Sequence, residues 1–149
     1  MKKKFKLFGL IILLFLNIWT FLIFKPAKST ELKVYFFDVG QGDSIFIETD
    51  DGKQILVDGG PDNRVVQRLS EAMPFWDRTI DLVILTHPDA DHLTGLIEVL
   101  KRYKVKGIIE SGVECGKPDC LAWNELKGTE AAAVILAKLG DSIVLDENT

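Results

Sequence analysis

Hydrophobic and polar positions change period several times along this chain, and the changes divide it into elements. Leu7 to Phe24 holds eighteen residues with no charge and only Asn17 and Thr20 as clear polar breaks. A helix of that length rises about 27 Å, close to the hydrocarbon thickness of a bilayer. After a linker at 25–31, the stretches Leu32–Phe37, Ser44–Thr49 and Gln54–Asp58 read as strands, with Asp51-Gly52 as a hairpin signal. Val65, Val66, Leu69 and Met73 recur at helical spacing between Pro61 and Pro74, which predicts a helix over 62–73. Ile80–Leu85, broken only by Asp81, reads as a buried strand, and Leu93–Tyr103 as an amphipathic helix behind it. Lys106–Glu110 and Ala131–Ala137 are further strands. Strands alternating with helices predict stacked α and β layers, an α/β fold.

The charges around the apolar run give it a direction. Residues 1–6, Met1-Lys2-Lys3-Lys4-Phe5-Lys6, are cationic, and Lys25 and Lys28 follow the run. The positive excess keeps the short amino-terminal segment in the cytoplasm. A secretory signal has a shorter apolar core and a small-x-small cleavage site. A cut after Ala27 would place Lys25 third upstream, a poor site, so 7–24 is expected to be an uncleaved single-pass anchor. Residues 32–149 are then one extracytoplasmic domain at most. The formal charge of −4 includes the lysine-rich leader, so the exported part is more acidic still. Such a surface does not favour sequence-independent contact with a polyanion, although a metal centre offsets this locally. Lys101, Arg102, Lys104 and Lys106 form the one basic cluster beyond the leader, placed to complement a helix C-terminus.

The densest chemistry lies in Thr86-His87-Pro88-Asp89-Ala90-Asp91-His92. Both histidines of the chain are here, with two aspartates between them. Imidazoles and carboxylates are the ligands of zinc and manganese. In an extended segment His87, Asp89 and Asp91 project to one side, and His92 falls at the mouth of the following helix. The plain alternative is an acidic turn with Asp91 as N-cap, but a cap needs one acid and no histidine. Asp58 ends an apolar strand, where a part-buried carboxylate needs a partner; a metal-bound histidine with a free ring N–H is a suitable one. Gly40 and Gly42 allow a sharp turn that sets Gln41, Asp43 and Ser44 at the end of the sheet. Cys115 and Cys120 flank Gly-Lys-Pro-Asp, a loop that a disulfide could close in an exported compartment; two free thiols are the other reading.

His87-x-Asp89-x-Asp91-His92 resembles the metallo-β-lactamase superfamily, with Asp89 where the usual pattern has a second histidine. That replacement, and Phe37-Asp38-Val39-Gly40-Gln41-Gly42-Asp43-Ser44, are similar to the branch typified by the bacterial competence protein ComEC. Ile55-Leu56-Val57-Asp58-Gly59-Gly60 is similar to the superfamily strand that ends in an acidic residue and small residues. The resemblance implies the amino-terminal half of an αββα sandwich. It implies two divalent ions, zinc or manganese, in the complete domain. His87 and Asp89 would ligate the first, and Asp91 and His92 the second. Asp91 would also orient the attacking water, Asp58 would orient a ligating histidine, and Asp38, Gln41 and Asp43 would stand near the substrate. The activity implied is hydrolysis of a phosphodiester, with DNA outside the bacterial cell membrane as the candidate substrate.

Two observations pull against that expectation. No histidine follows His92, so the later ligands of the superfamily are missing, and residues 1–149 read as part of a longer product with weak catalysis of its own. ComEC carries many membrane spans, whereas here a single span leads directly into the domain. A hydrolase of small extracellular esters or lactones, and a non-catalytic remnant or binding module, are therefore the alternatives.

Overall fold

The computed structural model describes residues 2–23, 31–129 and 132–145, with side chains described for 8–20 of the first stretch. Helix α1 (Lys2–Ile23) covers most of the predicted anchor. Its side chains from Phe8 to Thr20 are exposed. The two polar breaks of the uncharged run turn back on their own helix. Asn17 Nδ2 donates to the Leu13 carbonyl at 2.8 Å and Thr20 Oγ1 to the Leu16 carbonyl at 3.0 Å. Among the described residues no helix is long and apolar enough to cross a membrane. Phe24 and most of the linker lie outside the described residues, as do the side chains at both ends of the predicted span.

The remainder is a six-stranded sheet in sequence order. Strands β1 (Lys33–Phe36), β2 (Ile45–Glu48) and β3 (Gln54–Val57) pair antiparallel. β4 (Thr79–Leu85), β5 (Lys104–Glu110) and β6 (Ala133–Leu136) continue in parallel from β3. The antiparallel part needs only tight turns. The parallel part needs crossovers, supplied by α2 (Arg64–Ala72), α3 (Ala90–Leu100) and α4 (Pro118–Thr129). The β2–β3 hairpin turns at Gly52 with φ 83°, where Asp51-Gly52 predicted it.

One apolar cluster joins the three helices to one face of the sheet. The cross-strand row Phe46, Leu56, Val83 and Ile108 is buried beneath Val65, Leu69, Leu93, Leu96 and Trp123. Each fully buried side chain of this kind contributes about 1.5–3 kcal/mol. The opposite face carries its own apolar row across all six strands, namely Phe36, Ile45, Val57, Ile84, Ile109 and Ile135. The ends of that row, Phe36 and Ile135, are 79% and 53% exposed. The described residues thus form two layers, helices on one face of one sheet.

Helix α4 escaped the sequence pattern. Only Cys120 and Trp123 are buried on it, too few positions to announce a helical period. Pro118 does fit its first position, where the missing N–H costs no helical bond. The basic cluster serves the helix end only in part: Arg102 Nη1 donates to the Glu98 carbonyl in the last turn of α3 at 3.0 Å, and side-chain ion pairs take up the rest of what is seen. Lys101 and Arg102 pair with Glu98 at 2.7 and 2.5 Å, and Lys106 with Asp81 at 2.6 Å.

Candidate metal centre

The candidate site forms where three chain segments meet at the carboxyl ends of β3 and β4. β3 delivers Asp58, the one non-glycine among the described residues with positive φ, at 56°. Left-handed backbone is uncommon outside glycine, though aspartate tolerates it better than most. The conformation is fixed by bonds on every side. Asp58 N–H donates to the Ile84 carbonyl at 2.9 Å, Gly59 N–H to the His92 carbonyl at 2.8 Å, and Gly95 N–H to the Gly60 carbonyl at 2.9 Å. Helix α3 can approach this closely because Gly95 faces Gly59 backbone to backbone. A Cβ on Gly95 would strike the Gly59 carbonyl.

Buried by these contacts, the Asp58 carboxylate accepts three hydrogen bonds. Oδ1 takes the Thr86 N–H at 2.9 Å, and Oδ2 takes the Thr86 hydroxyl at 2.6 Å and His92 Nδ1 at 2.9 Å. Thr86 Oγ1 stands 2.9 Å from His87 Nδ1. With its own proton given to Asp58, that oxygen accepts from the His87 ring. One carboxylate therefore holds both imidazoles, His92 directly and His87 through Thr86. Each ring uses Nδ1 for the protein, leaving Nε2 as its remaining donor nitrogen. The rings lie 3.9 Å apart centre to centre.

Asp89 stands 3.7 Å from His87 Nε2 but hydrogen-bonds Lys117 Nζ at 3.0 Å. The Lys117 ammonium holds its carboxyl below the usual carboxylate range. Asp89 occupies the N-cap position of α3, yet its side chain makes no capping bond. The helix begins at Ala90, and this corrects the expectation that His87, Asp89 and Asp91 share one side. From Ala90 onward successive side chains rotate by about 100° instead of alternating, so Asp91 belongs to the first turn of α3. Gly42, at φ 87°, packs against the Asp91 carbonyl. Asp43 and Gln41 are exposed on the same turn. Asp38 lies apart, accepting from Gly40 N–H at 3.2 Å and facing Arg68 of α2 at 3.9 Å.

The donor chemistry suits a divalent ion, with two imidazole nitrogens and nearby carboxylates whose orienting partners are already in place. Among the described residues, however, no three His, Cys, Asp or Glu side chains converge on one point where an ion would sit. Two clefts flank the motif. One, of about 380 Å³, runs over Phe36, Ile45 and Val57 to Asp58, His87 and His92. The other, of about 390 Å³, is bounded by His87, Asp89, Glu114 and Lys117. Sequence reasoning missed Thr86 and Lys117. A hydroxyl directly before the first histidine was a readable signal for Thr86; nothing local announced Lys117, which folding brings from 28 positions away.

The profile of the metallo-beta-lactamase superfamily matches residues 37–147, spanning all three motifs and strands β2 to β6. The chain belongs to this superfamily. Among its relatives is Recombination protein 2 of Haemophilus influenzae, 36% identical over an alignment of 100 residues that covers 64% of this chain and 12% of that protein. Another is ComE operon protein 3 of Bacillus subtilis, 32% identical over 107 residues, 60% of this chain and 14% of that protein. These likenesses support the ComEC-like branch. The superfamily generally works with divalent metals.

Proposed function

We propose that this chain contributes to a metal-dependent hydrolase that cleaves phosphodiesters, with DNA as the substrate class, outside a membrane in which the uncharged run 7–24 anchors it. The observation that carries the reading is the shared orientation of His87 and His92 by Asp58, which leaves both Nε2 atoms for a metal. His87, Asp89, Asp91 and His92 are the ligands, and a small turn of Asp89 away from Lys117 brings its carboxylate to the rings. A divalent ion there supplies Lewis acidity toward a phosphoryl or acyl oxygen. The protein's share is to fix the imidazoles by accepting their Nδ1–H groups at Asp58 and Thr86, and to place Asp91 at the helix start where it can orient a water.

The names of the relatives, recombination protein and competence-operon protein, favour nucleic acid over other esters. Their lengths leave most of each relative without a counterpart here, so the role of the whole protein in DNA uptake rests on analogy. Anchoring is supported by the uncharged run 7–24, by the lysines before it and by the internal bonds of Asn17 and Thr20. The Cys115–Cys120 disulfide supports an oxidising compartment. The second reading, hydrolysis of neutral extracellular esters or lactones, draws on the net charge of −4.

The test begins with metal. The purified chain, loaded with zinc or manganese, should lose most bound ion on His87→Ala or His92→Ala. The gene product that contains this chain should then cleave bis-p-nitrophenyl phosphate and single-stranded DNA faster than a neutral ester. Unchanged metal content in both histidine variants sinks the metal centre; turnover confined to neutral esters favours the second reading.

A further inference from the structure

After β5 the chain runs out to Cys115, turns through Gly116, Lys117 and Pro118, and returns at Cys120 in the first turn of α4. The Cys115–Cys120 disulfide closes this loop. The closed loop is seated on the metal motif itself. Both sulfurs lie against the Pro88 carbonyl, at 3.9 and 3.8 Å, between His87 and Asp89. Behind it, Asp119 accepts from the Thr94 hydroxyl at 3.0 Å, which ties the loop to α3. Trp123 Nε1 and Lys127 Nζ of α4 both bond Glu110 at the end of β5, at 2.8 and 2.5 Å. A long, flexible side chain is thereby presented from a fixed base. That side chain is Lys117, whose Nζ lies 3.0 Å from Asp89. Among the ion pairs of the described residues it is the one lysine or arginine that reaches His87, Asp89, Asp91 or His92.

We infer that Lys117, presented by the disulfide-closed loop, is the residue that selects an anionic phosphodiester at this site. The inference rests on the metal-centre reading and names how that centre would distinguish its substrates. When Asp89 turns to a metal, Lys117 loses its partner and faces the cleft it lines with His87 and Glu114. A non-bridging phosphate oxygen in that cleft takes the place of the Asp89 carboxylate on the ammonium. Lysine serves this purpose as a point charge, without bidentate geometry. A neutral ester offers no such oxygen and gains nothing from the residue. On an acidic domain a single well-placed cation matters more, because the surrounding field repels the substrate.

The experiment uses the full chain in detergent, loaded with zinc, and a fluorescent decathymidylate with phosphorothioate linkages as the probe. Lys117→Gln should weaken probe binding about tenfold, the loss expected for one charge-assisted hydrogen bond. Its zinc content and thermal midpoint should stay with the parent. Lys117→Arg should keep most of the affinity. Cys115→Ser combined with Cys120→Ser should reproduce the loss, because the lysine stays but its base is freed. Parent-like probe binding by Lys117→Gln with zinc retained overturns the inference and leaves the metal centre standing. Retention of zinc by both His87→Ala and His92→Ala removes the centre itself, whatever Lys117 does.

Discussion

Asp58 Oδ2 lies 2.9 Å from His92 Nδ1, though 34 positions separate the two residues. The contact exists because β3 ends beside the start of α3, and the turn between Asp58 and Gly60 is laced to that helix. A carboxylate buried this deeply, at 2% exposure, is tolerable only with its lone pairs filled. Thr86 and His92 fill them.

Replacing Asp58 by Asn keeps the size and removes the charge that holds His92 and Thr86. Zinc affinity, measured by chelator competition, should fall about 10- to 100-fold, as for other groups that orient a ligating histidine. An affinity within twofold of the parent would show that Asp58 serves only to close the turn.

Thr86 makes a sharper test, because its hydroxyl both donates to Asp58 and accepts from His87. Thr86→Val preserves shape and leaves polar groups unpaired, so it should cost about 1–3 kcal/mol in urea unfolding. It should also lower zinc affinity, while Thr86→Ser recovers most of both. Failure of serine to rescue would shift the role from hydroxyl to methyl packing.

Gly95→Ala tests the close approach that makes the site possible. The added methyl would meet the carbonyls of Gly59 and Asp62, backbone atoms with no room to yield. The helix must then slide, and a loss of about 3 kcal/mol is expected, at the upper end of overpacking costs. Gly116→Ala, with open space around it, should be near neutral.

These contacts explain which parts of the site could be read in advance. The strands, the Asp51-Gly52 turn and the His-Asp cluster are written in local periodicity and residue type, and the sheet follows them within one or two residues. Asp58 was readable because a charge at the end of an apolar strand demands a partner. Asp91 was misplaced because the period changes from two to 3.6 at Ala90, two residues after Pro88 and earlier than the apolar pattern from Leu93 announces. Helix α4 and Lys117 were invisible for a different reason. Their positions depend on the seating of the Cys115–Cys120 loop against Pro88 and on a tryptophan bonded to Glu110, contacts between distant positions that leave no local pattern.

Acid should weaken the β2–β3 hairpin in a defined window. Asp51 is held at about 2 against an ordinary 3.8, first by the Thr49 hydroxyl and then by Lys53. A folded value below the unfolded one adds stability that is complete above about pH 4 and fades as pH falls toward about 2. The stability gap between parent and Asp51→Asn should therefore shrink across that window in urea titrations. A gap independent of pH would remove the carboxylate from the account.

The final prediction concerns where the metal centre faces. Four lysines precede the run 7–24 and two follow it closely, so the expected topology has the amino terminus in the cytoplasm. Eighteen uncharged residues reach about 27 Å as helix, enough for the hydrocarbon core. Alkaline phosphatase folds to its active form only where disulfides form, so a fusion joined after Thr49 reports the side reached. It should be active in bacteria, and the chain should stay in the pellet through carbonate washing. An inactive, membrane-bound fusion would put the centre and its disulfide in the reducing cytoplasm, which neither the lysine bias nor Cys115–Cys120 can accommodate. An active fusion released by carbonate would mean instead that the run is a cleaved export signal. In that case the domain is still exported but carries no anchor.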